Sequence, residues 1–154
     1  MEPELYSQAG MERSCRAFTE MLCAESGQAG PSYSCAIQPH FESCDFEKKT
    51  LLVSVMVEPF MRNTNGVMHG GAVATAMDTI MGSLTYYMCG EHLTPTITMN
   101  VSYERPIPMG KRLMVETTCL SCGKTMAYAT ARAFLEDAPE KTVASASGTY
   151  YTAH

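Results

Sequence analysis

In the stretch 72–89, rich in Ala, Met, Ile and Leu and free of Lys and Arg, Asp78 is the single ionised side chain. Burying a carboxylate is expensive unless it is paired or used. Thr75, Asp78, Thr79 and Gly82 recur at i, i+3, i+4 and i+7, so a helix carries them as one narrow polar stripe while Val73, Met77, Ile80 and Leu84 face elsewhere. A polar groove along an otherwise apolar helix suits a ligand. The alternative is a structural aspartate neutralised by an arginine from a sheet, such as Arg105 or Arg132. Upstream, Gly70 and Gly71 lead into the same segment, where unpaired backbone N–H groups and the positive end of the helix dipole converge and would stabilise an oxyanion. Glycine also lets a ligand carbonyl approach the backbone closely; the plainer alternative is a helix start shaped by turn chemistry alone. Eight residues at ~1.5 Å rise put Asp78 roughly 12 Å from Gly70 in one chain. If both act on one reacting centre, the loop of one subunit must face the helix of another, as in a two-fold dimer with antiparallel central helices.

The elements that must position these residues follow from periodicity. Met11, Cys15, Phe18 and Leu22 form a helical stripe, ended by Gly27, Gly30 and Pro31. Residues 33–46 and 50–57 are apolar and often β-branched, as two strands of a hairpin require. Pro59, Asn63, Asn65, Gly66 and the Gly70-Gly71 pair make a loop. The apolar helix 72–89 stops at Gly90, and four strands follow at 94–103, 111–121, 124–136 and 141–152. Short connections favour antiparallel neighbours throughout. The expected class is α+β, one antiparallel β-sheet wrapped around a long central helix, which is the hotdog fold. One such domain is expected over 1–154, with an N-terminal helical segment at 1–30.

Composition narrows the partners. The chain has 154 residues, 45% hydrophobic and 18% charged. That charged share lies below the roughly 25% of ordinary soluble domains and hints at surface covered by another subunit. Lys plus Arg total 11 against 16 Asp plus Glu, a net charge of -5, which offers no broad cationic face to nucleic acid or anionic lipid. No apolar run approaches a membrane span or an export signal, so a cytoplasmic location is expected. Seven cysteines, Cys15, Cys23, Cys35, Cys44, Cys89, Cys119 and Cys122, are odd in number and scattered. Cys119 and Cys122 have C-x-x-C spacing without a second ligand pair nearby, and Gly123-Lys124 reads as a hairpin turn. Reduced thiols packed as small hydrophobes is the simpler reading, with no metal site.

Asn63-Thr64-Asn65-Gly66-Val67-Met68-His69-Gly70-Gly71, followed by Ala72-Val73-Ala74-Thr75-Ala76-Met77-Asp78, closely resembles the PaaI-like hotdog thioesterases, whose pattern is N-x-x-G-x-x-H-G-G with an acid eight residues after the first paired glycine. Met99-Asn100-Val101-Ser102-Tyr103, Arg105-Pro106 and Gly123-Lys124-Thr125 extend the resemblance over 63–149. It implies hydrolysis of an acyl-CoA thioester, on a small aryl or a short- or medium-chain acyl group, by a homodimer that assembles to a homotetramer, with no cofactor beyond the coenzyme A of the substrate. By the same resemblance Asp78 is the catalytic carboxylate, either general base on a water or nucleophile on the carbonyl. Gly70 supplies the oxyanion N–H and Asn63 orients the thioester or the water, both from the partner subunit. Thr96 aligns with a hydroxyl residue that holds the water, against ordinary strand packing. His69 fixes the loop by hydrogen bonds, with direct catalysis as the lesser reading. Gly71 belongs to the substrate-binding loop. Arg105, Lys111, Arg112 and Lys124, near strand ends, could meet the phosphates of coenzyme A, against plain solvated charge. Tyr86, Tyr87, Met81 and Met88 either line an acyl pocket or fill the core.

Two rivals use the same fold. A hotdog dehydratase would need a histidine fourteen residues before the acid, where Thr64 stands, and the hydratase-type Asp/His pair is absent. A non-catalytic acyl-CoA sensor that regulates transcription would need a DNA-reading segment, for which the N-terminal region is too short and too poor in basic residues.

Overall fold

The computed structural model describes residues 4–24 and 31–153. Its elements in chain order are α1 (Gln8–Ala24), α2 (Tyr33–Ala36), β1 (His40–Asp45), β2 (Thr50–Met56), a 3-10 turn (Pro59–Met61), α3 (Gly70–Met88), β3 (Thr96–Tyr103), β4 (Arg112–Cys122), β5 (Met126–Leu135) and β6 (Ala138–Tyr151). All six strands join one antiparallel sheet in the order β1-β2-β4-β5-β6-β3. The α+β expectation, a sheet around a long helix, holds.

Small side chains decide where α3 sits. The inward positions of β5 are Ala127, Ala129, Ala131 and Ala133, and those of β6 are Ala144, Ala146 and Gly148, all buried. This low floor lets the helix approach closely, and its Val73, Ala76, Met77, Ile80, Met81, Leu84 and Tyr87 are almost wholly removed from water. Larger side chains of β2 and β4, Leu51, Val53, Val55, Leu113 and Val115, complete the core beside it. The predicted stripe of α1 also packs inward: Met11 and Cys15 are fully buried, and the Phe18 ring stacks on Tyr86 of α3 with centroids 4.4 Å apart. The four residues of the polar stripe on α3, Thr75, Asp78, Thr79 and Gly82, are only half-buried.

Three expectations are corrected. The strand predicted at 33–46 begins only at His40, because the Ser32 hydroxyl accepts a hydrogen bond from the Cys35 N–H at 3.2 Å and starts the short helix α2. Gln38, at φ 46°, then turns the chain into Pro39. Helix α3 starts two residues early, at Gly70, because the ring of His69 caps it. Helix α1 runs to Ala24, the last described residue before a break, and the expected stop residues Gly27 and Gly30 lie outside the described residues. Finally β3 and β4, though joined by a short segment, are not neighbours. Residues 104–111 cross to the β2 side, held by Met68 N–H to Ile107 C=O at 2.8 Å and Gly110 N–H to Val57 C=O at 2.9 Å, and β3 pairs with β6 instead. Pro106 and Pro108, each lacking an N–H, suit this crossing better than a hairpin.

One edge of the sheet is β3, whose eight residues are mostly exposed, with Ile97 and Tyr103 about half open to solvent. Among the described residues no helix is long and apolar enough to cross a membrane. Leu84 has no accessible surface in the face α3 presents to the sheet. Leu84→Ala should lower the unfolding free energy by about 3 kcal/mol through lost burial and residual cavity, read from urea denaturation with circular dichroism.

Candidate functional site

The loop before α3 is built by Asn63 and His69. The Asn63 Oδ1 accepts from the N–H groups of Asn65 at 2.9 Å and Val67 at 3.2 Å, while Asn63 N–H donates to Val67 C=O at 2.8 Å. This closes an Asx turn around Gly66, whose φ of 81° a side chain would strain. With Oδ1 committed, the Nδ2 group of Asn63 is the part left to reach a ligand. His69 then satisfies the start of the helix. Its Nδ1 accepts from the Gly71 N–H at 2.8 Å, and its carbonyl accepts from Ala72 at 2.9 Å and Val73 at 3.1 Å. The first N–H of the helix, that of Gly70, has no acceptor among the described residues.

Tyr103, at the end of β3, closes on this point. Its hydroxyl donates to the Gly70 carbonyl at 3.0 Å, and a Cβ on Gly70 would lie 3.3 Å from its ring. Asn63, Gly70, Val73, Tyr103, Arg105 and Ile107 share a cavity of about 310 Å³. The Arg105 guanidinium donates to the Thr142 carbonyl on its rim.

Asp78 lies elsewhere. Its Oδ1 accepts two neutral hydroxyl donors, Thr96 Oγ1 at 2.8 Å and Tyr150 Oη at 3.1 Å. Among the described residues no cation pairs with it. The alternative of neutralisation by Arg105 or Arg132 therefore fails: Arg132 donates to the Pro139 carbonyl and lies over the Phe134 ring. Asp78, Thr79, Gly82, Tyr86, Thr96 and Tyr150 face a second cavity of about 240 Å³. Asp78 and the Gly70 N–H thus face separate cavities, as the helical rise requires.

The remaining predicted residues divide. Gly71 leaves no free donor, since His69 takes its N–H. Lys124 is exposed on the β4–β5 turn and lines neither cavity. Lys111 is committed to Asp137 at 2.6 Å, and Arg112 to Glu136 at 3.6 Å and the Ser54 hydroxyl at 3.2 Å. Met81 and Tyr87 are core, while Tyr86 lines the Asp78 cavity. Among the described residues no group of three metal-ligating side chains converges.

Sequence reasoning missed Tyr150. It faces inward at the end of the Ala144, Ala146, Gly148 series, and glycine at 148 makes room for it: a Cβ built there would stand 3.0 Å from its ring, whereas one on Gly82, at 4.0 Å, would make ordinary contact. One large residue ending a run of alternating small ones is the signal that could have found it.

The family model described as the thioesterase superfamily matches residues 65–141, half of the chain. The chain belongs to the thioesterase superfamily. The mouse protein named acyl-coenzyme A thioesterase 13 is 35% identical over 81 residues, covering 51% of this chain and 56% of its own length. The chain spans about half or less of the length of such relatives, with 35% for the Xenopus laevis acyl-coenzyme A thioesterase THEM4. Among solved structures, the Escherichia coli PaaI protein superposes with a TM-score of 0.76 at 17% identity over 96% of this chain and 97% of its own. The superfamily match and this likeness establish the hotdog fold.

Burial, and then the charge of Asp78, hold the Tyr150 phenol above its ordinary pKa of 10.0. A phenol whose pKa folding raises adds stability that is complete below its unfolded pKa and is lost as pH climbs towards the folded value. The thermal midpoint should therefore fall as pH rises from about 10, and Tyr150→Phe should flatten part of that fall. An identical alkaline slope in both proteins, measured by calorimetry, would remove Tyr150 as a contributor.

Proposed function

We propose that this protein hydrolyses acyl-CoA thioesters, with a small aryl or a short- or medium-chain acyl group, at a site completed by a second copy of the chain. The observation that carries this reading is the pair of half-sites: a carboxylate held without a cation in one cavity, and an unpaired helix-start N–H in another. Neither half suffices alone. With α3 helices antiparallel about a two-fold axis, Asp78 of one protomer meets Gly70 and Asn63 of its partner, and two equivalent sites result. The open edge of β3 is a surface through which two sheets could join.

In this site the partner's loop binds the thioester carbonyl, with the Gly70 N–H placed to stabilise its oxygen as negative charge develops. The Nδ2 of Asn63 orients the thioester or the attacking water. Thr96 and Tyr150 both donate to Oδ1 of Asp78, which leaves Oδ2 to take a proton from water or to attack the carbonyl carbon itself. The proton of the Thr96 hydroxyl is committed to Asp78, so Thr96 would hold a water only through its lone pairs. Collapse of the tetrahedral species expels the thiolate of coenzyme A, which is protonated as the free thiol; attack by water releases the carboxylic acid directly, whereas attack by Asp78 leaves a mixed anhydride that a water then hydrolyses to the acid and the restored carboxylate. Arg105, on the rim of the Gly70 cavity, is the cation best placed for a phosphate of coenzyme A. The names of the relatives support the substrate class, and a Streptococcus mutans protein of the same fold, 23% identical with a TM-score of 0.63 over 73% of this chain and 87% of its own, was solved bound to acetyl CoA.

Purified protein should release free thiol from one or more members of a panel of aryl, short-chain and medium-chain acyl-CoA esters. Asp78→Ala should slow that release by about 100-fold or more. Parent-like turnover in that variant would refute the role of the carboxylate, and binding without cleavage of every ester would favour a sensor. Gly70→Ala should also be impaired, because its Cβ would crowd Tyr103 and obstruct the oxyanion. Mixing the Asp78→Ala and Gly70→Ala proteins under subunit exchange should restore about a quarter of parental activity, since half the dimers are mixed and each mixed dimer has one intact site. No recovery despite demonstrated exchange would place both groups in the same chain's site.

A further inference from the structure

The C-terminal end of α3 carries chemistry that thioester hydrolysis does not use. Cys89 ends the helix, its N–H donating to Thr85 C=O at 2.9 Å, and Gly90, at φ 76°, reverses the chain. Cys122 is the last residue of β4 and is exposed. The two sulfurs, 33 residues apart in sequence, lie 2.6 Å apart. A covalent S–S bond needs ~2.05 Å, so half an ångström separates this pair from bonding distance. None of the other thiols has a sulfur as its hydrogen-bond partner among the described residues: Cys23 donates to Pro39 C=O at 3.1 Å, Cys35 to Cys23 C=O at 3.2 Å and Cys119 to Ser121 C=O at 3.5 Å, while Cys44 Sγ accepts from Gln8 Nε2 at 3.6 Å. The C-x-x-C spacing, read from the sequence as packed thiols, gives no sign of this contact. Cys119 is buried, and a register shift lies between Cys119 and Ser121.

We propose that Cys89 and Cys122 form a reversible dithiol/disulfide pair, a redox modification site that latches the end of the central helix to the sheet. The chemical partner is a low-molecular-weight disulfide. Exposed Cys122 attacks first as thiolate, forming a mixed disulfide and expelling one small thiol. Cys89, whose burial holds its thiol well above the usual range, loses its proton as it attacks the Cys122 sulfur and expels the second. The protein gives up two thiol protons and two electrons, and the small disulfide is reduced to two thiols. The bridge closes the chain from helix end to strand end and fixes the origin of the segment in which Leu93, Thr94 and Pro95 line the Asp78 cavity.

The full chain, incubated with oxidised glutathione at neutral pH, should fall from seven titratable thiols to five when counted in denaturant. Peptide mapping should join the Cys89 and Cys122 peptides, dithiothreitol should restore all seven thiols, and the thermal midpoint should rise by roughly 5–10 °C on oxidation. Cys89→Ser should instead accumulate one glutathione on Cys122, and Cys122→Ser, at an exposed position that folding tolerates, should leave Cys89 unmodified. Retention of seven thiols, a Cys119 to Cys122 bridge, or an undiminished loss in Cys122→Ser would each overturn the proposal. A bridged protein with an unchanged midpoint would overturn the latch.

Discussion

The seating of α3 on a floor of alanine and glycine is the contact on which the rest of the molecule depends. Ala127, Ala129, Ala131 and Ala133 on β5, with Ala144, Ala146 and Gly148 on β6, leave space that the helix fills with Met77, Ile80, Met81 and Leu84. A larger side chain at any of these floor positions would lift the helix or tilt it. Because the apolar face is fixed downwards, the rotation of the helix about its axis is fixed too, and with it the direction of Asp78. The carboxylate reaches the edge of the floor, where Tyr150 and Thr96, opposite each other across the β3–β6 pairing, supply hydroxyls to one of its oxygens.

The same rotation explains why Asp78 and the Gly70 N–H face separate cavities. A helix that buries one face cannot turn its N-terminal N–H and a side chain two turns later towards a single small group, since the rise alone separates them by roughly 12 Å. His69 sharpens the division by consuming three of the first four N–H groups through its ring and carbonyl, so the one left unpaired is that of Gly70. On the proposed reading, the half-buried stripe of Thr75, Asp78, Thr79 and Gly82 is the surface a second helix and loop would cover.

The sequence made some of this legible because the signals are local. The i, i+3, i+4, i+7 stripe on α3, the Asn63 turn and the α1 stripe each depend on residues within a few positions of one another, and the structure places them as expected. What failed to show depends on contacts distant in sequence. The β3–β6 pairing spans the length of β4 and β5, so connection length gave the wrong neighbour. Tyr150 lies 72 residues from Asp78, and its meaning emerges only once β6 is known to run beneath the helix. The Cys89 and Cys122 contact likewise needs the sheet order before it can be seen. The strand expected from residue 33 failed for a different reason: a serine cap and a left-handed Gln38 outweighed β propensity over four residues.

The way Asp78 is held bears on what it can do. A cation in contact would neutralise the carboxylate and, in a low-dielectric groove, hold it strongly enough to blunt it as a base or nucleophile. Two hydroxyl donors orient it at smaller cost to its charge. Both act on Oδ1, and burial keeps the Tyr150 phenol protonated, so the donor is present across the neutral range. Oδ2 accepts no hydrogen bond among the described residues. The asymmetry between the two oxygens, one fixed and one free, is what a carboxylate working on a water or a carbonyl requires, and it arises where Gly148 gives up its side-chain volume to the tyrosine ring.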